Sequence, residues 1–137
     1  MSILIAVGVA LLITVIGYLF RKKKIAKASA LVDSRETLSF DEIFQNFYSS
    51  GEFDKTKIME LWGEIAQTLG VSEGKMRPTD RFGKEIGVYL ITSEELDALA
   101  ILAKKRATKN NLAVNIHELT TVDEYIRQFG KSNNPNS

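Results

Sequence analysis

The chain has no cysteine, one histidine (His117), two prolines and nine glycines among its 137 residues. Without cysteine there is no disulfide framework, no thiolate zinc site and no cysteine nucleophile. One histidine argues against a multi-histidine metal site and leaves a Ser-His-Asp arrangement a single candidate base. So little proline and glycine excludes collagen-like and low-complexity chains, and a net charge of +1 argues against a chain that coats nucleic acid. What is present, 45% hydrophobic and 26% charged residues, averages to an ordinary single-domain soluble protein.

That average hides an uneven distribution. Ser2 to Phe20 runs nineteen residues without a charge, and Arg21, Lys22, Lys23, Lys24 and Lys27 follow at once. At about 1.5 Å rise per residue the apolar run is close to the length that crosses a hydrocarbon core of about 30 Å. A signal peptide needs a basic region before a shorter apolar core, and the cations here come after it. A buried helix of a soluble domain is the other alternative, but a helix apolar on every face suits lipid better. The expectation is a single-pass anchor over residues 1–24, its N-terminus outside and the rest of the chain cytoplasmic, because the Lys and Arg excess stays inside. The lipid bilayer is thus the first expected partner. Ala6, Ala10, Thr14 and Gly17 form a small-residue stripe that would let two such helices pack closely as a homodimer.

Residues 25–36 are weakly patterned, either a juxtamembrane linker or an extra turn or two of the anchor helix. From Thr37 the helical signals sharpen. Ser39-Phe-Asp-Glu42 is a capping box, Phe40, Ile43, Phe44 and Phe47 follow at helical spacing, and Gly51 ends that helix. Asp54 caps the next, with Ile58, Leu61, Trp62, Ile65 and Leu69 on one face and Gly70 at its end. Val71 to Val88 reads as a long loop with one short turn after Asp80. Thr92-Ser-Glu-Glu95 opens a third helix, with Leu96, Leu99, Ala100, Ala103 and Ala107 inward and Ile101 and Leu102 widening that stripe. Leu112 to Leu119 is extended or a short turn. Thr121-Val-Asp-Glu124 opens a last helix carrying Val122, Tyr125, Ile126 and Phe129, closed by Gly130 before a polar tail over 131–137. The expected fold class is all-α: one transmembrane helix plus a small four-helix bundle over 37–130.

The segments Leu61–Val71 (LWGEIAQTLGV), Arg77–Phe82 (RPTDRF) and Leu119–Ile126 (LTTVDEYI) occur in the order found in acyl carrier proteins, and residues 55–128 resemble that family. The resemblance implies a carrier-like bundle. Carriers attach phosphopantetheine to the serine of an Asp-Ser-Leu motif, and this chain has none. Counting from Phe82 and Gly87 puts the equivalent position near Leu90, and counting back from Val122 puts it near Ser93. Thr92 replaces the preceding Asp and Glu94 the following Leu, so Ser93 or Thr92 reads first as a helix cap. Ser93 is a cofactor-binding residue only if the carrier alternative holds.

No phosphate-cradling glycine motif, metal-ligand cluster or nucleophile elbow is present in the sequence. The pairs Asp41/Glu42, Glu94/Glu95 and Asp123/Glu124 fall in first helical turns, where the dipole favours acids and adjacent side chains do not face each other. After residue 27 there are 13 basic and 17 acidic residues, a net −4. Against that background Lys75, Arg77, Asp80, Arg81 and Lys84 form an unexplained cluster in the long loop. It reads as a solvated loop or as a docking surface for an acidic partner or for headgroups near the anchor. The expected function is a non-enzymatic, membrane-anchored adaptor with a protein partner at the membrane, no nucleic acid and no resident cofactor. The alternatives are a tethered phosphopantetheine carrier and a small subunit acting through its transmembrane helix.

Overall fold

The computed structural model describes residues 2–88 and 94–131. Among these the architecture is all-α, with three isolated bridges and no strand. Helix α1 spans Ser2–Asp33, α2 Phe40–Phe47, α3 Lys55–Leu69, α4 Glu94–Lys109 and α5 Val122–Phe129, with a 3-10 turn at Ile116–Glu118 before α5. Residues 89–93 and 132–137, which include Leu90, the Thr92/Ser93 cap and nearly all of the polar tail, lie outside the described residues.

Helix α1 is one unbroken element of 32 residues, about 48 Å long at the standard rise. Its apolar part is exposed all round, as Leu11, Leu12 and Ile13 illustrate at about 100° intervals around the axis. It is long and apolar enough to cross a membrane. The helix does not stop at the basic block. It continues through most of the segment expected as a linker, and Val32 is buried in the core of the helical domain.

The core is built on α3. Asp54 accepts from the amides of Thr56 and Lys57, and Gly70 ends the helix in the left-handed conformation, as the spacing predicts. Between those caps Ile58, Leu61, Trp62 and Ile65 are fully buried. Trp62 satisfies its indole N–H on the Glu73 carbonyl at 2.9 Å. Helix α4 adds Leu99, Ala103 and Ala107, with Leu96 and Ala100 half-buried, but Ile101 points to solvent at 54% exposure. The buried stripe is therefore narrower than predicted. Helix α5 buries Val122, Tyr125, Ile126 and Phe129, and Thr121 caps it by accepting from the Glu124 amide.

Helix α2 is shorter than its pattern suggests, ending at Phe47 rather than Gly51. The reason is Tyr48. It leaves helical geometry at φ −134°, and its ring packs edge-on against Phe53 and Trp62. Its hydroxyl donates to Asp123 Oδ1 at 3.0 Å, joining α2 to α5. Phe47, expected inward, is left 37% exposed.

The loop 70–88 has its short turn after Asp80 at residues 83–85, and backbone contacts tie the rest down. Phe82 N–H donates to the Thr120 carbonyl, and the amides of Val122 and Asp123 donate to the carbonyls of Asp80 and Pro78. Gly74 lies against the 37–38 segment, with Leu38 N–H donating to its carbonyl at 2.9 Å. A Cβ there would lie 2.7 Å from both the Leu38 carbonyl oxygen and Thr37 Cγ2. Gly63, inside α3, meets only the end of the flexible Glu73 side chain, at 3.1 Å. Thermal denaturation is therefore expected to separate two alanine substitutions. Gly74→Ala should destabilise by about 1–3 kcal/mol through backbone overlap, whereas Gly63→Ala should be neutral or stabilising by up to about 1 kcal/mol, since alanine suits a helix interior better.

Candidate functional site

The loop cluster singled out from sequence is divided by the structure into an inward set and an outward set. Asp80, read as part of a solvated loop or of a docking surface, is buried, at 1% exposure. Its carboxylate receives a two-pronged ion pair from Arg35, Nη1 to Oδ2 at 2.7 Å and Nη2 to Oδ1 at 2.6 Å. It also accepts from the Arg77 amide at 2.8 Å. A buried carboxylate needs hydrogen-bond donors in place of water, and this one meets three. The hydrogen bond to Asp80 raises the already high pKa of Arg35.

Lys75 and Arg77 also turn towards the chain leaving α1. Lys75 Nζ donates to the Asp33 carbonyl at 2.8 Å. Arg77 donates to the carbonyls of Gly74 and Met76 through Nη1, and to that of Glu36 through Nη2. The Lys75 contact serves the end of α1, where the last four carbonyls lack regular onward partners. Ala30 accepts from Ser34 N–H, Leu31 from the Ser34 hydroxyl, Val32 from Arg35 N–H and Asp33 from the Lys75 ammonium. A cation at that terminus also complements the helix dipole. Three of the five predicted docking residues are thus fasteners between α1 and the helical domain. Their positions follow from needs of the fold.

Arg81 and Lys84 face outward. Arg81 pairs with Glu85, Nη2 to Oε1 at 2.8 Å, and also donates to it through its own amide at 2.9 Å. The Arg81 hydrogen bond is the main reason the Glu85 carboxyl is held down to about 2, from an ordinary 4.5. Across from this turn, Lys24 and Lys27 of α1 complete a groove of about 540 Å3.

No family model matches this chain, and no curated protein or solved structure matches it either. The reading of the site therefore rests on its own chemistry.

The other candidates have structural employment. Asp41 pairs with Lys55 at 2.7 Å, Asp123 with Arg127 at 2.8 Å, and Glu124 accepts from the Thr120 amide at 2.7 Å. Tyr125 donates to Glu64 Oε2, which lies beside Arg106. Burial, reinforced by the neighbouring Asp123 and Glu64 carboxylates, pushes both Tyr48 and Tyr125 well above the ordinary phenol range. His117 is exposed in the 3-10 turn, its amide capped by Asn115. No group of metal-ligating side chains occurs among the described residues. On α1, Ala6, Ala10, Thr14 and Gly17 are exposed, and the Thr14 hydroxyl is turned onto the Ala10 carbonyl of its own helix. An apolar cavity of about 330 Å3 lies along α4, lined by Phe82, Leu96, Leu99, Ala103, Ile116 and Leu119 among others.

Sequence reasoning missed Arg35. It stands in an unpatterned stretch, 45 residues from its partner, and no local spacing marks it. The one usable signal was an excess of cations around a lone aspartate in the loop. The Arg35–Asp80 pair gives a clean double-mutant test by chemical denaturation of the detergent-solubilised chain. Asp80→Asn should cost about 3 kcal/mol by leaving the part-buried guanidinium without its counter-charge, and Arg35→Gln a similar amount by leaving the buried carboxylate unpaired. The double variant should cost much less than their sum. Additive losses would show that the two side chains do not act as a pair.

Proposed function

We propose that this chain is a membrane-anchored, non-enzymatic adaptor that displays its helical domain on the cytoplasmic face at a set distance and orientation. The observation that carries the reading is the join between anchor and domain. Helix α1 runs without a break from its apolar part to Val32 in the core, and Arg35, Lys75 and Arg77 secure its end. A tether that only localised a domain would need no such join, since a flexible linker already raises local concentration. A fixed join supports presentation of one face to a partner in the same membrane. The cations from Arg21 to Lys27 favour the cytoplasmic orientation.

The experiment breaks the join without removing the anchor. A Gly-Ser-Gly-Ser insertion after Ala26 should leave the protein in alkali-washed membranes but abolish in-cell crosslinking to the partner set of the native chain. Unchanged crosslinking would show that fixed presentation is not used. Release of the native protein by alkaline carbonate would sink the anchor itself.

A second reading, the tethered phosphopantetheine carrier, is favoured by one observation. Ser93 immediately precedes the first residue of α4, and the apolar cavity lies along that helix. Its volume is at the lower end of the range for small-molecule pockets, about 300–1,000 Å3. Co-expression with a phosphopantetheine transferase should then add one prosthetic-group mass to the intact protein, and Ser93→Ala should remove it. An unmodified mass with several transferases would exclude this reading.

A further inference from the structure

The groove beside the end of the anchor sets two of the cations that favour the cytoplasmic orientation opposite two more from the helical domain, a juxtaposition that orientation does not require. One wall is α1, contributing Lys24 and Lys27, and the facing wall is the 81–85 turn, contributing Arg81 and Lys84. Its floor is apolar, with Ala28 and the half-exposed Leu31. Glu85 is the one acid in the lining, and it is already engaged by Arg81. Among the described residues, Lys24, Lys27 and Lys84 have no carboxylate within ion-pairing distance. Three unpaired lysines and the Arg81–Glu85 pair therefore converge, a net of three positive charges, around a surface that leaves alkyl groups in water.

We propose that this groove is a binding site for the headgroup of an anionic phospholipid. The inference rests on α1 spanning the bilayer. Along the helix axis Lys24 and Lys27 stand about 6 and 10 Å beyond Phe20, at or just past a headgroup layer about 5–7 Å deep. Side chains on a helix lean towards its N-terminus, which here is the membrane side, so both lysines reach back towards the phosphates. Three residues apart, they share one helix face. Arg81 and Lys84 close the groove from the domain side. The apolar floor selects an amphiphile over a free anion, because a lipid's glycerol region covers Ala28 and Leu31 while its phosphate meets the cations.

The test uses the full chain in an uncharged detergent, with bound lipid counted by native mass spectrometry. The probes are dioctanoyl phosphatidylglycerol, dioctanoyl phosphatidylcholine and glycerol 3-phosphate. Two variants remove the same charge from the same region: Lys27→Ser with Lys84→Ser inside the groove, and Lys22→Ser with Lys23→Ser outside it. All four lysines are exposed, so melting temperatures should match the native chain. Phosphatidylglycerol is expected to bind one per chain, with the other two probes at least about tenfold weaker. The groove variant should lose about tenfold or more of that affinity, and the outside variant only a small fraction of it. Equal losses in both variants would overturn the site in favour of diffuse attraction. Equal binding of phosphatidylcholine would overturn headgroup selectivity, and equal binding of glycerol 3-phosphate would overturn the lipid. Release of the native chain from membranes by alkaline carbonate would instead overturn the spanning reading beneath it.

Discussion

The paired guanidinium and carboxylate of Arg35 and Asp80 hold three parts of the molecule in register. Arg35 follows the end of α1, and Asp80 lies in the loop between α3 and α4. The Asp80 backbone carbonyl in turn accepts from the first residue of α5. The buried Asp80 charge is not tolerable alone in that setting, because removing an ion from water costs several kcal/mol before any partner repays it. Part-buried Arg35 supplies that partner, and the loop conformation brings the two together. Lys75 and Arg77 add hydrogen bonds to the carbonyls of Asp33 and Glu36 once the loop is so placed.

Around that junction the chain divides into two physical regimes. The first nineteen residues of α1, all uncharged, lie exposed on every side, and the helical domain buries its apolar side chains around Trp62. A mean hydropathy of −0.06 is the sum of these opposites. The near-neutral charge has the same origin, with five cations at the boundary offsetting an acidic domain. The fold keeps these regimes in contact rather than apart: the last turns of α1 are shared between them, with Ile25 and Ala28 half-buried and Val32 in the core.

Elements governed by nearby residues were readable from sequence. Helix α3 shows its cap, its face and its terminating glycine within seventeen consecutive positions, and α5 does so within ten. The end of α2 was not readable, because Tyr48 leaves the helix for ring contacts with Trp62 and a carboxylate 75 residues away. The loop cluster was visible as an anomaly of charge, yet its meaning depended on carbonyls at the end of α1, some forty residues earlier. Local patterns report which side chains want burial. They do not report which orphaned backbone groups a distant lysine will find. The outward pair, Arg81 and Lys84, became a groove only when the fold set it opposite Lys24 and Lys27.

The continuity of α1 has a mechanical consequence. A helix pinned at its far end behaves as a lever, and in a membrane its fulcrum lies at the edge of the hydrocarbon. Spanning helices lean by about 20° on average, more in thin bilayers and less in thick ones. From Arg21 to Asp33 the lever arm is about 20 Å, so a lean of that size carries its end sideways by roughly 7 Å and turns the attached domain with it. A floppy tether would absorb such a motion. With α1 in a bilayer, as proposed, this join would pass the motion on to the helical domain.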